Sequence, residues 1–195
     1  MITNKKFWTV ASALAVVGLA GASMVVLRLS SPGAPRCDAA WAFVAENPKM
    51  LAQHSDAIVV ADAVATYPGR VATSANGEDL LPFQIVELHV KDALKGSFPD
   101  GRVYVERAGG TEPGNGINHV IDIDGGEFEA GRTYLLFLNE QPDNTGLYYQ
   151  VNDQGRYELV GRKLRAIEPE GDRVQQVFHW RTMAEATALV HQLVD

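Results

Sequence analysis

The stretch Ala57-Ile58-Val59-Val60-Ala61-Asp62-Ala63-Val64-Ala65 decides the fold. It is apolar at every position but Asp62, and too short to be a membrane span. A run of this kind reads as a central strand whose two faces both need cover. Tyr134-Leu135-Leu136-Phe137-Leu138 reads the same way. Around these two lie weaker strands. Phe83 to Val90 puts Val86, Leu88 and Val90 on one face. Arg102 to Arg107 alternates, with Val103 and Val105 inward and Arg102, Tyr104 and Glu106 outward. Val120–Ile123, Leu147–Val151, Tyr157–Val160 and Val174–Trp180 complete the set.

Turn-forming residues separate the runs: Pro68-Gly69, Asn76-Gly77, Pro99-Asp100-Gly101, Asp124-Gly125-Gly126, the segment Asn152 to Gly155, and Glu170-Gly171-Asp172. Short strands at this spacing point to a mostly β fold, a barrel or sandwich. Short helices flank it. Asp38 is placed to cap one that carries Trp41 and Val44. Asn47-Pro48 supplies an N-cap followed by proline at the first helical position. Thr182 with Glu185 three residues on is a capping box. It opens a final helix with Ala186, Leu189, Val190 and Leu193 on one apolar face.

The amino-terminal end reads differently. Lys5 and Lys6 precede an uncharged run from Phe7 to Leu27, closed by Arg28. As a helix this run spans about 30 Å, the thickness of a bilayer's hydrocarbon core. Ala20-Gly21-Ala22 offers a cleavage site, but Met24-Val25-Val26-Leu27 carries the apolar run past it, which favours an uncleaved anchor. The charges around the run keep the short amino terminus in the cytoplasm and put the rest outside. The expected organisation is therefore a signal anchor or signal peptide at 1–29, a Ser/Pro/Gly linker at 30–36 and one domain at 37–195. The domain is held at the membrane, or secreted if the leader is removed.

The chain has 195 residues and a net charge of -7. Without the leader, about 160 residues remain, enough to bury a core without disulfides or metal. The negative balance argues against nucleic acid as a partner. It argues equally against an anionic membrane surface as a partner for the folded part. Cys37 is the sole cysteine, so no internal disulfide exists. Arg36 stands where a lipoprotein signal needs a small residue, which leaves an incidental thiol or an intermolecular pairing.

Few residues nominate chemistry. His119, Asp122 and Asp124 fall within six positions, but strand alternation points the histidine away from both aspartates. Asp122, Asp124, Glu127 and Glu129 lack the spacing of a calcium loop and read as a solvated acidic turn. No Gly-x-Ser-x-Gly elbow or Cys/His pairing is present. His54, His89, His179 and His191 are scattered. Asp62, inside an apolar strand, reads as a hydrogen-bonded structural carboxylate. Gly109-Gly110-Thr111-Glu112-Pro113-Gly114-Asn115-Gly116 lacks the Lys-Ser/Thr of a phosphate loop and reads as a long inter-strand loop. Loops of this kind often carry recognition, so Gly109, Gly110, Thr111, Glu112, Asn115 and Gly116 are the candidate binding residues. No catalytic residue, metal ligand or cofactor is expected.

Three stretches resemble the netrin-like domain of tissue inhibitors of metalloproteinases: Ser55 to Val64, Val86 through Leu94-Lys95-Gly96, and Gly131-Arg132-Thr133-Tyr134-Leu135-Leu136-Phe137. The turn Gly155-Arg156-Tyr157 is similar to uncharacterised bacterial secreted relatives of that domain. The resemblance covers roughly residues 37 to 160 and implies a five-stranded OB-like antiparallel barrel with added helices. The inhibitory device of that family is an N-terminal Cys-x-Cys. Here the stretch is Cys37-Asp38-Ala39, so the resemblance supports fold more than protease inhibition. The expected function is a non-enzymatic, extracytoplasmic module that binds another protein. The alternatives are an assembly partner of a membrane complex and a hydrolase with an unrecognised site.

Overall fold

The computed structural model describes residues 43–73, 80–111, 120–122, 126–143, 145–167 and 169–194. The proposed anchor, the linker, Cys37, Asp38 and Trp41 lie outside them. No helix among the described residues is long and apolar enough to cross a membrane.

The fold is mostly β with short helices. In chain order the elements are α1 (Pro48–His54), β1 (Ala57–Thr73), β2 (Leu80–Lys95), β3 (Arg102–Thr111), β4 (Val120–Asp122), β5 (Thr133–Glu140), β6 (Leu147–Gln150), β7 (Arg156–Val160), β8 (Lys163–Ala166), α2 (Arg173–Phe178) and α3 (Met183–Val194). The strands pair in the order β1-β2-β3-β6-β5-β7-β8, with β4 beside β3. β5 also pairs back onto β1, from Ala57 opposite Leu138 to Asp62 opposite Thr133. Five strands thus form a hydrogen-bonded ring. One ladder departs from the all-antiparallel expectation: β3 and β6 run parallel, Tyr104 opposite Leu147. The strand β5 and its neighbour β6 form a hairpin, and β6 inserts between β5 and β3.

The two continuous apolar strands need cover on both faces, and both faces receive it. Ala57, Val59, Ala61 and Ala63 of β1, with Tyr134, Leu136 and Leu138 of β5, face Val86, Leu88, Val103 and Val105 across the ring's interior. The alternate residues Ile58, Val60, Leu135 and Phe137 face outward into a second core. There they meet Leu51 of α1, Tyr157, Leu164, Phe178 of α2, and Ala186 and Val190 of α3. Period-two alternation thus serves two cores from one strand.

Two helices start as their sequences indicate. The Asn47 side chain accepts from Met50 N–H at 2.9 Å, with Pro48 in the first turn. The Thr182 and Glu185 side chains accept each other's backbone N–H groups at 3.3 and 2.8 Å. Val44 lies outside any helix. Val174–Trp180, expected as a strand, is instead the helix α2. Asp172 caps it, accepting from Val174 N–H (2.8 Å) and Gln175 N–H (3.0 Å). The apolar residues Val174, Val177 and Phe178 fall three and four apart, a helical spacing that their β-forming side chains disguise. The helix ends at Phe178, and two residues on stands Trp180, a non-glycine residue with φ of 62°. That left-handed conformation costs about 1–2 kcal/mol in an L-residue.

β1 and β2 outrun their expected limits. The turn expected at Pro68-Gly69 is a β-bulge inside β1, where the register shifts between Pro68 and Val71. A proline is tolerated at a bulge on a strand edge. A Cβ at Gly69 would stand 2.9 Å from the Phe83 carbonyl oxygen, so only glycine permits this approach of the two backbones. The connection through Asn76-Gly77 lies outside the described residues.

Asp62 is the hydrogen-bonded carboxylate expected. Its partial burial pushes the pKa up, but Thr133 Oγ1–H (2.5 Å) and Lys91 Nζ (3.0 Å) donate to it and outweigh that effect. The net shift is downward. A lowered carboxylate pKa contributes stability that is complete above the unfolded aspartate value, about 4. It is lost as pH falls through the folded value. Melting the wild type and Asp62→Asn across that range should show a shallower acid dependence in the variant. Parallel curves would remove Asp62 from the acid response.

Candidate functional site

Past Ala63, β1 leaves β5 and continues along β2, first as the outer strand of a β1-β2-β3 sheet and then, at Val71–Thr73 and Leu80–Pro82, as a two-stranded tip. This β1–β2 ribbon exposes four apolar side chains: Val64 (47%), Tyr67 (46%), Val71 (40%) and Leu80 (37%). Exposed apolar residues scattered singly need no explanation, but a set along one pair of strands does. At the ribbon's base lies a groove of about 370 Å3, walled by Tyr67, Pro68 and Val71 on one side and Pro82, Phe83 and Phe128 on the other. Glu127 adds a charge to its lining.

Two buried carboxylates anchor the ribbon's polar face to β3. The Glu87 carboxylate accepts from Tyr67 Oη–H at 2.8 Å and from Arg102 Nη1 at 2.7 Å. The Glu106 carboxylate accepts from Arg70 Nε at 3.1 Å, Arg70 Nη2 at 3.1 Å and Gln141 Nε2 at 2.7 Å. Each glutamate is nearly buried beneath an arginine that is more than half exposed. The Arg70 guanidinium also lies over the Phe83 ring, 4.1 Å from its centre. The bond to Glu87, with that carboxylate's charge, holds the Tyr67 hydroxyl above the usual tyrosine range, so it stays protonated. Both carboxylates are thus paired with guanidinium groups and positioned as struts.

The opposite wall is pinned by Arg156. It is 5% exposed and donates from Nη1 to the Gly126 carbonyl (2.6 Å) and from Nη2 to the Glu127 carbonyl (2.7 Å). Its guanidinium stacks 4.0 Å over the Phe128 ring, and Phe128 meets Tyr134 edge-on at 4.9 Å. A planar cation that satisfies two carbonyls and two aromatic faces fixes Phe128 in place. The result is a shallow apolar groove with a charged rim, shaped to take an apolar or aromatic side chain.

The glycine-rich segment differs from the expected loop. Gly109, Gly110 and Thr111 are the end of β3, paired with Asp122, Ile121 and Val120 of β4. Gly109 and Gly110 are buried. Glu112, Asn115 and Gly116 lie outside the described residues. The link to the groove is Gly110: a Cβ there would meet the Gln84 side chain at 3.0 Å, and Gln84 lines the groove. Gly110 also has a φ of +126°. Gly110→Ala should therefore cost about 1–3 kcal/mol in chemical denaturation, through backbone strain and crowding. A change within experimental error would mean that the segment relaxes freely, as a loop would.

Sequence reasoning missed Tyr67, Arg70, Glu87, Glu106 and Arg156. The signal lay in the alternation of Arg102 to Arg107, which puts Glu106 outward among aromatic neighbours. Among the described residues no three His, Cys, Asp or Glu side chains are placed to share a metal ion. Glu129 pairs with Arg132 (3.3 Å), while His119 and Asp124 lie outside the described residues. His54 stacks on Phe43, and His179 Nδ1 accepts from Ala166 N–H. No known protein-family model matches the chain, and no curated protein matches it either.

Proposed function

We propose that this chain is a non-enzymatic binding module held outside the cytoplasm by residues 7–27, and that it takes a protein partner on the β1–β2 ribbon and its groove. The observation that carries the reading is the exposure of Val64, Tyr67, Val71 and Leu80 along one pair of strands beside an apolar groove. Interfaces favour aromatic and arginine side chains presented on a firm scaffold. Tyr67 and Arg70 meet that description, each fixed by a buried glutamate. The paired state of both carboxylates speaks for binding over acid–base chemistry. An OB-like barrel suits the ring's pairing order, with its single parallel ladder between β3 and β6. The netrin-like resemblance leads to the same barrel.

A photo-crosslinking side chain at Val71 in the full chain, in its own membranes, tests the partner surface. It should give an adduct with one protein, whereas the same group at Gln192 on α3 gives none. Equal adducts from both positions, or none from Val71, would move the surface elsewhere.

A further inference from the structure

We propose that the corner built by β8 and the α2–α3 junction docks on an anionic phospholipid surface, with Trp180 as the inserted side chain. The segment from His179 to Thr182 lies antiparallel along β8. Leu164 N–H donates to the Arg181 carbonyl and Trp180 N–H to the Leu164 carbonyl, both at 2.7 Å, and Lys163 bridges to Thr182. This places Arg162, Lys163, Arg165 and Arg181, all exposed, on or next to the two paired segments that hold Trp180. Arg165 pairs with Glu158, and Glu185 feels both Arg181 and Lys163. Four cations less two carboxylates leave a local charge of about two positive on a chain whose net charge is -7. The whole-chain balance averages this contrast away, which is why it argues against such a surface. Segregated as it is, the charge repels the body from an anionic bilayer and turns this corner toward it.

Trp180 supplies the second observation. It is 55% exposed and holds a left-handed backbone conformation that glycine would adopt freely. Its ring packs against His179, 4.7 Å between centres. A bulky residue kept at a strained and exposed position points to a role for the side chain outside the fold. Indole rings favour the headgroup level of bilayers, where flanking cations reach the lipid phosphates. The anchor proposed above at residues 7–27 would hold the chain at such a surface.

The test uses the full chain with Trp8→Phe and Trp41→Phe, so that Trp180 alone fluoresces. It is reconstituted in phosphatidylcholine vesicles with or without phosphatidylglycerol, each carrying brominated lipid as quencher. At about fivefold per net charge, the docked state should be favoured about 30-fold on the anionic vesicles. Quenching should therefore appear there, vanish in high salt, and vanish with Arg162→Gln/Lys163→Gln. Equal quenching in both vesicle types, or none in either, overturns the proposal, and the second result fits an acidic protein partner instead. Carbonate extraction of the same vesicles reads the anchor separately: a chain that is extracted yet quenched sinks the anchor alone, and one retained yet unquenched sinks the docking alone. Trp180→Gly in the full chain should raise the melting temperature by removing strain. A lower melting temperature would assign the indole to packing and overturn the proposal.

Discussion

Phe137→Ala should destabilise the domain by about 3–5 kcal/mol, a large part of the 5–15 kcal/mol that a domain commonly has. Phe137 is fully buried in the outer core, where its ring lies 6.2 Å from Tyr157 and 5.5 Å from Phe178. Those two rings are 5.0 Å from each other. Three aromatic rings in mutual contact join β5, β7 and α2, elements far apart in the chain. Removing one leaves a cavity that the other two cannot close without moving a strand or a helix. At about 2–4 °C per kcal/mol, the melting temperature should fall by roughly 6–20 °C. The denaturant m-value should hold, because the same surface is exposed on unfolding. Tyr157→Phe gives the contrast. The buried Tyr157 hydroxyl has no hydrogen-bond partner among the described residues, and burial pushes its pKa well up. Losing it should leave stability unchanged or raise it by about 1 kcal/mol. A loss under about 1 kcal/mol for Phe137→Ala would mean that the helical layer is not packed on β5.

The β5 strand also shows what the sequence made legible. Five apolar residues in a row state that both faces of a strand are covered, and the two cores on either side of β5 follow from that. Caps were equally legible, because Asn47 before Pro48 and Thr182 before Glu185 are local rules satisfied within one turn. The failures have a common cause. Asp172 is also a local cap, but Val174, Val177 and Phe178 favour strands intrinsically, and packing against the outer core decides for helix. Pro68-Gly69 has the composition of a turn, yet the bulge register of its partner strand absorbs it. Gly109-Gly110 has the composition of a loop, yet both residues are buried in a strand where their left-handed backbone fits. The candidate site was the least legible part. Glu87 and Glu106 look like ordinary outward residues of alternating strands. Their importance comes from Tyr67 and Arg70 on β1 and from Gln141 just past β5, residues that only the tertiary fold brings to them.

Arg156→Ala should loosen the groove and the fold together. Arg156 was legible only as part of a turn, between Gly155 and Tyr157, where a solvated arginine is the ordinary expectation. The structure buries it instead and turns its fork onto the Gly126 and Glu127 carbonyls, with Phe128 stacked on the guanidinium face. Hydrogen bonds from a charged donor are worth about 1.5–3 kcal/mol each where the partner would otherwise be stranded. The stacking adds about 1–2 kcal/mol when desolvated. Water can reach the two carbonyls once the segment moves, so the expected loss is about 3–5 kcal/mol rather than the full sum. Arg156→Lys should recover only part of it, because an ammonium group is a point charge that cannot satisfy both carbonyls and lie flat on a ring. The functional consequence separates this residue from Phe137. Freed from Arg156, Phe128 no longer walls the groove beneath Tyr67 and Val71, so both Arg156 variants should lose the crosslinked adduct from Val71 under conditions where they remain folded. Phe137→Ala, in the core behind the opposite strands, should keep it under the same conditions. Hydrogen exchange of the amides from Gly126 to Glu129 should accelerate in the Arg156 variants before any other segment. If that segment stays protected and the adduct survives, Phe128 is held by its own packing against Tyr134, and Arg156 is a strut of the core alone.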